Sequence, residues 1–245
     1  MSRHIAILII FAAFSTFTIG CSGGSGGPLN TLMEQVRLDD PLANRTYAQN
    51  QDAIEVPESV AALIEYLAND ESAKVRAWGA LILGRIGDPQ AVPALTVALS
   101  DNDTDTRKRA VDALGLIGET EAERAFIEAL RSGNRNAQIT ALVELEKAGS
   151  IAAVPAIADT ARANEGIVSK NAIDTLGGIG DASAAATLVE LALSTSLDAS
   201  LRRAAIMNLG RMTVPEATSG LQEVITGLGE QEGTDELLQL ARDQG

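Results

Sequence analysis

The stretch VRAWGALILGRIGDPQAVPALTVAL, residues 75–99, decides the fold. Its first half places Gly79, Ala80, Leu83, Gly84 and Ile86 at helical spacing. Gly87 then offers a position where positive φ costs little, so the helix can stop there. Asp88 is placed to cap the next helix, and Pro89 fits a first helical position, where no amide donor is needed. A second apolar stripe runs through Val92, Leu95, Ala98 and Leu99. The stretch predicts a helix–turn–helix hairpin. One hairpin leaves its apolar faces only partly covered, so neighbours of the same kind must stack against it.

Such neighbours are present in the sequence. Leu83, Leu114, Leu145 and Leu176 stand 31 residues apart, and Leu209 comes after a further 33. The turn glycines Gly87, Gly118, Gly149 and Gly180 keep the same step, with Thr213 in the fifth place. Gly79, Ala110, Ala141, Ala172 and Ala205 form a small-residue column, and Ala80, Val111, Leu142, Ile173 and Ile206 an apolar one. These columns define five units, at about 72–103, 104–133, 134–164, 165–196 and 197–229. Gly115 belongs to a column that is glycine in most units, which predicts a close helix crossing that leucine would overpack.

The pattern resembles the short HEAT-like repeat of the kind found in phycobilisome lyases. Val75-Arg76, Leu83-Gly84, Ile86-Gly87-Asp88-Pro89 and Val92-Pro93 match it, as do Arg107, Leu114-Gly115 and Ile117-Gly118, and later Leu176-Gly177 and Ile179-Gly180-Asp181. The unit at 134–164 departs, with Glu146 in place of the first glycine and Gln138 in place of the arginine. The resemblance implies an all-α, right-handed α-solenoid of the armadillo/HEAT type, used mostly as a binding scaffold.

Composition narrows the possibilities further. Asp and Glu number 33 against 19 Lys and Arg, a net charge of -14, which argues against a nucleic-acid partner. At the N-terminus a short basic run, MSRH, precedes the apolar IAILIIFAAF, and small residues lead to Cys21. Residues 1–20 therefore predict a signal peptide. Thr18-Ile19-Gly20-Cys21 resembles the bacterial lipobox, which implies acylation of Cys21. SGGSGG at residues 22–27 would then be a flexible tether, and Ser22 after the cysteine points to the outer membrane, facing the periplasm. The alternative is ordinary secretion with Cys21 removed or left free. Residues 21–55 are predicted to hold the tether, a short helix around Leu29, Leu32, Met33 and Val36, and a polar loop, DDPLANRTYAQNQD. Val56 to Leu67 predicts a second-type helix without its first partner, so that the array covers 56–229 as a half-repeat plus five repeats. Residues 230–245 predict a capping helix that starts after Thr234 and runs through Arg242.

The search for chemistry is mostly negative. His4 is the only histidine and Cys21 the only cysteine, and both lie in or at the edge of the signal. That removes histidine-based acid–base chemistry, Cys/His nucleophiles and most zinc sites. It also separates the chain from deoxyhypusine hydroxylase, a HEAT-repeat enzyme with iron held by His-Glu pairs. No cofactor or metal is expected. Asp101, Asp103 and Asp105 in SDNDTD lack the glycine and distal glutamate of a calcium loop and predict a capping turn.

Three features bear on binding. Arg76, Arg107 and Arg202 share a column and predict a ladder between repeats with nearby acidic residues, the alternative being contact with a ligand. Trp78 is the only tryptophan, and either packs on Tyr66 or serves as a binding anchor. On the second helices, the position two after the core residue is Val97, Glu128, Asp159, Glu190 and Glu223. In HEAT-like arrays the resemblance places these helices on the concave face. The four carboxylates are read as a docking ridge for a protein with a basic surface, the bland alternative being a solvated face. The function expected is a non-enzymatic interaction scaffold, held to the lipid bilayer through Cys21. The rivals are a bilin-lyase-like enzyme or enzyme-assembly factor, and a purely structural envelope protein.

Overall fold

A computed structural model describes residues 27–163, 165–229 and 235–245. Cys21, the expected lipid anchor, and Thr234, the expected helix cap, lie outside these residues. Among the described residues the chain forms fourteen α-helices and no strand: α1 (Pro28–Arg37), α2 (Ala43–Ile54), α3 (Val60–Asn69), α4 (Ala73–Ile86), α5 (Val92–Ala98), α6 (Thr104–Ile117) and α7 (Glu119–Leu130), followed by α8 (Arg135–Lys147), α9 (Val154–Ala163), α10 (Ile167–Ile179), α11 (Ala182–Leu193), α12 (Ala199–Arg211), α13 (Pro215–Gly229) and α14 (Asp235–Gln244). None of them is long and apolar enough to cross a membrane.

The helices begin and end where the local chemistry dictates. Gly87 ends α4 in the left-handed region at φ 73°, and Gly180 ends α10 the same way at φ 70°. Asp88 accepts from the Gln90 amide and opens a 3-10 turn, Pro89–Ala91, which leads into α5. Asp103, Asn134, Asp181 and Asp198 cap α6, α8, α11 and α12 by accepting from amides of the first turn. SDNDTD is therefore a capping segment, with Asp101 also accepting from the Asp103 amide.

Packing obeys the columns. Leu83, Leu114, Leu145, Leu176 and Leu209 are all buried, and so are Ala110, Ala141, Ala172 and Ala205. First helices stack on first helices (α4 on α6, α8 on α10, α10 on α12), while among the second helices α5 meets α7 and α11 lies along α13. This is an α-solenoid: each unit buries its apolar faces chiefly against its neighbours. At the C-terminal end α14 packs on α12 and α13 and closes the array with Leu237 and Ala241.

The arginine column has a structural use that extends beyond arginine. Arg76 Nη1 donates to the carbonyls of Asp70 (2.9 Å) and Glu71 (3.1 Å). Arg107 Nη1 reaches those of Asp101 (2.7 Å) and Asn102 (3.0 Å). In the same column Gln138 Nε2 donates to Leu130 O at 2.9 Å, Ser169 Oγ to Ala161 O, and Arg202 Nε to Ala192 O at 2.9 Å. Each first helix thus satisfies carbonyls that the preceding helix and its loop leave without an intrahelical partner. Arg76 also forms a two-pronged pair with Asp101, Nε to Oδ2 at 2.7 Å and Nη2 to Oδ1 at 2.9 Å. Burial opposes ionisation of Asp101, but the Arg76 guanidinium and the Asp103 amide outweigh it and hold the carboxyl below its ordinary range.

Two expectations are corrected by the N-terminal region. Residues 39–52 are not a polar loop, because most of them lie in α2. Its narrow apolar stripe of Ala43, Tyr47 and Ile54 is buried, and the α1–α2 hairpin, with α1 resting on α4, precedes α3 in the array. Among the described residues the ring contact of Trp78 is with Tyr47, not with Tyr66. Trp78 meets Tyr47 edge-on, with ring centroids 5.3 Å apart and planes at 77°, while the Tyr66 hydroxyl donates to Asn30 Oδ1 at 3.2 Å. Tyr47 further donates to Glu55, accepts from Arg85 Nη1 at 2.8 Å, and lies under the Arg85 guanidinium at 5.2 Å.

A third correction concerns Gly115. A Cβ there would meet nothing within 4 Å. The close crossing occurs at Gly84, where a Cβ would lie 2.5 Å from the Ala113 Cα. The two glycines share a column, but α6 and α8 scarcely touch whereas α4 and α6 pack along their lengths.

Candidate functional site

On the second helices, residue i of each pair turns inward and residue i+2 lies about 200° further round, facing out. Leu95, Phe126, Ile157, Leu188 and Leu221 are buried. Glu128 on α7, Asp159 on α9, Glu190 on α11 and Glu223 on α13 are exposed. Val97, the first residue of that column, is 71% exposed.

Two arginines not anticipated from the column share this surface. Arg131 Nη1 stands 3.4 Å from Glu128 Oε2, just past the end of α7. Arg162 contacts Asp159 at 3.7 Å on its own helix and reaches across to Glu190 at 2.8 Å on α11. One guanidinium therefore spans two repeats, which places Asp159 and Glu190 side by side. No ion pair is seen at Glu223 among the described residues. The four carboxylates and these two guanidiniums together sum to -2. Exposed pairs of this kind are worth only about 0–1 kcal/mol each, so a competing partner could displace them readily. The arginines stand three residues after the carboxylates, a spacing legible in sequence, but their column reads Ser100, Arg131, Arg162, Leu193 and Thr226 and shows no pattern of its own.

Trp78 is not brought to this surface. It is half-buried on α4 against α2, whereas the carboxylates stand on second helices. Among the described residues no group of three or more His, Cys, Asp or Glu is placed to hold a metal ion. Two of the clefts formed by the described residues bear on function, and both are open to solvent. One, of about 530 Å³, lies beside α13 and includes Pro215, Gln222 and Ile225. The other, of about 540 Å³, lies between α6, α7 and α8, with Ala122, Phe126 and Leu145 below and Glu119, Glu123, Glu144 and Lys147 around it.

A family model for HEAT repeats matches the chain in overlapping segments at 60–125, 92–170, 123–210 and 159–229. No protein of curated function matches it. Among solved structures, human deoxyhypusine hydroxylase is similar at 18% identity, with 88% of this chain and 95% of that one aligned and a TM-score of 0.40. The CpcE–CpcF complex of phycocyanin lyase from Nostoc aligns at 19% identity over 95% and 98%, TM-score 0.38. An archaeal HEAT-like repeat protein from Thermococcus onnurineus aligns at 16% over 88% and 95%, TM-score 0.40.

Proposed function

Since the chain belongs to the HEAT-repeat family, we propose that it is a non-enzymatic interaction scaffold, tethered to a membrane of the cell envelope through acylated Cys21. Its partner is a protein that presents Lys or Arg side chains to Glu128, Asp159, Glu190 and Glu223 along the concave side of the array. The observation that carries this reading is the Arg162 bridge. A guanidinium from the chain itself already occupies the position between two repeats that a partner's cation would take. Repeats stacked in one direction offer such positions at regular intervals, which suits an extended partner.

Changing Glu128→Gln, Asp159→Asn, Glu190→Gln and Glu223→Gln together tests the surface. With Arg131 and Arg162 retained, the change removes four negative charges from the surface while side-chain shape is kept. Association with the partner should slow by about tenfold or more at low salt, and wild-type binding should weaken as salt rises. Wild type and variant retaining the same partners with no salt dependence would reject the surface and turn attention to Trp78. The anchor is tested separately. Cys21→Ser should either release the protein from the membrane fraction or stall removal of residues 1–20, because the acyl chains that hold a mature N-terminus at the bilayer would have no attachment point. Wild-type protein recovered soluble with an unmodified Cys21 would refute lipidation.

A further inference from the structure

The first-helix layer is continuous except at one place. A Cβ on Gly84 would lie 2.5 Å from the Ala113 Cα, and one on Gly177 would run into Asn208 Oδ1, so α4 meets α6 and α10 meets α12 closely. At Gly115 the same column faces open space. The residues opposite this column are Ala113, Glu144, Thr175 and Asn208. Glu144 is the only acidic residue of the four, and its side chain keeps 22% of its surface in water, paired with Lys147 at 2.6 Å.

We infer that the joint between α6 and α8 is a hinge, at which α8 and the helices after it open and close on α6 about α7. The pivot is visible: α7 packs on both α6 and α8, and Ser150 Oγ donates to Glu123 Oε1 at 2.5 Å across it. The chain between α7 and α8 passes through Gly133 at φ 68°. Little draws α8 directly onto α6: Ala122, Phe126 and Leu145 beneath the cleft are already buried, so closing it covers little further apolar surface, whereas Glu144 loses hydration as α8 approaches Gly115. Gly115 has no side chain to obstruct that approach, so the two arrangements differ mainly in how Glu144 is solvated. The other first-helix joints are closed by direct contact: a Cβ on Gly84 or Gly177 would meet the facing helix, and Thr175 donates to Glu146 Oε2 at 3.5 Å between α10 and α8.

Spin labels can test this in the full chain carrying Cys21→Ser. Asp112→Cys with Val143→Cys spans the cleft, and Leu81→Cys with Asp112→Cys spans the packed joint from the same column one repeat earlier. The distance distribution for 112/143 should be at least about twofold wider than for 81/112, as expected of a hinge beside a rigid contact. Glu144→Thr, which places the Thr175 residue type at the open joint, should narrow and shorten the 112/143 distribution. Equal widths at the two joints would overturn the hinge, and so would a 112/143 distribution that Glu144→Thr leaves unchanged.

Discussion

Gly84→Leu lowers the melting temperature by roughly 6–12 °C, while Gly115→Leu leaves it within a degree or two of wild type. These are the expected results for the same change in the same repeat column. At Gly84 the new Cβ would sit 2.5 Å from the Ala113 Cα and 2.7 Å from its Cβ, and both belong to a neighbouring helix with no flexible side chain to move. Helices α4 and α6 would have to separate along a contact that includes buried Leu83 and Ala110. Overpacking of this kind costs about 3 kcal/mol. At Gly115 the leucine would enter the cleft, and the better helix propensity of leucine would offset about 0.5–1 kcal/mol of any strain. Thermal melts of the two variants, monitored by circular dichroism, decide the matter. Equal losses would mean that α8 packs on α6 as closely as α6 packs on α4.

Tyr47→Ala carries the second large effect. The ring is 7% exposed, and its loss removes the edge contact to Trp78 and the surface under Arg85. Truncating a buried aromatic costs about 3–5 kcal/mol. In a linear array that loss falls on the adjacent elements, so amide exchange should accelerate in 28–54 while α8 to α13 keep their protection. A uniform rise along the chain would show instead that the α1–α2 hairpin is coupled to the whole array. Titration supplies an independent check. Burial, then the bond to Glu55, pushes the Tyr47 phenol up to about 12. A raised value in the folded protein means that this group's contribution is intact below about pH 10, the ordinary tyrosine value, and lost between about 10 and 12. Tyr47→Phe should flatten the fall in stability over that interval.

Gly84 and Tyr47 also mark where the sequence is legible and where it is not. The repeats can be read because leucine, small and apolar columns recur at 31 residues, and the leucine column is buried as a set. A column reports which face a residue takes, but not how near the facing helix comes. The difference between Gly84 and Gly115 is written opposite them, in Ala113 and Glu144, and emerges only when the columns are read in pairs. Helix α2 was obscured for another reason. Only Ala43, Tyr47 and Ile54 of its twelve residues are buried, and Asn and Asp nearby favour a turn in any local reading. At the acidic surface the alternation of Leu95 with Val97, or Phe126 with Glu128, is plain in the sequence. Pairing with Arg131 and Arg162 depends on rotamers and on the spacing between α9 and α11, which no single-helix pattern encodes.

The column of Arg76, Arg107, Gln138, Ser169 and Arg202 has a consequence for how such an array is cut and joined. Because each of these side chains binds carbonyls of the preceding second helix or its loop, a cut between one hairpin and the next strips that segment of its partner. A cut at the turn within a hairpin, at Gly87 or Gly118, leaves every one of those bonds inside a single piece. The transplantable block is therefore a second helix with the first helix after it, running for example from Asp88 to Gly118. Grafting, duplication or deletion framed on that block carries its own joint intact, whereas the hairpin that the eye picks out in the sequence leaves its joint behind.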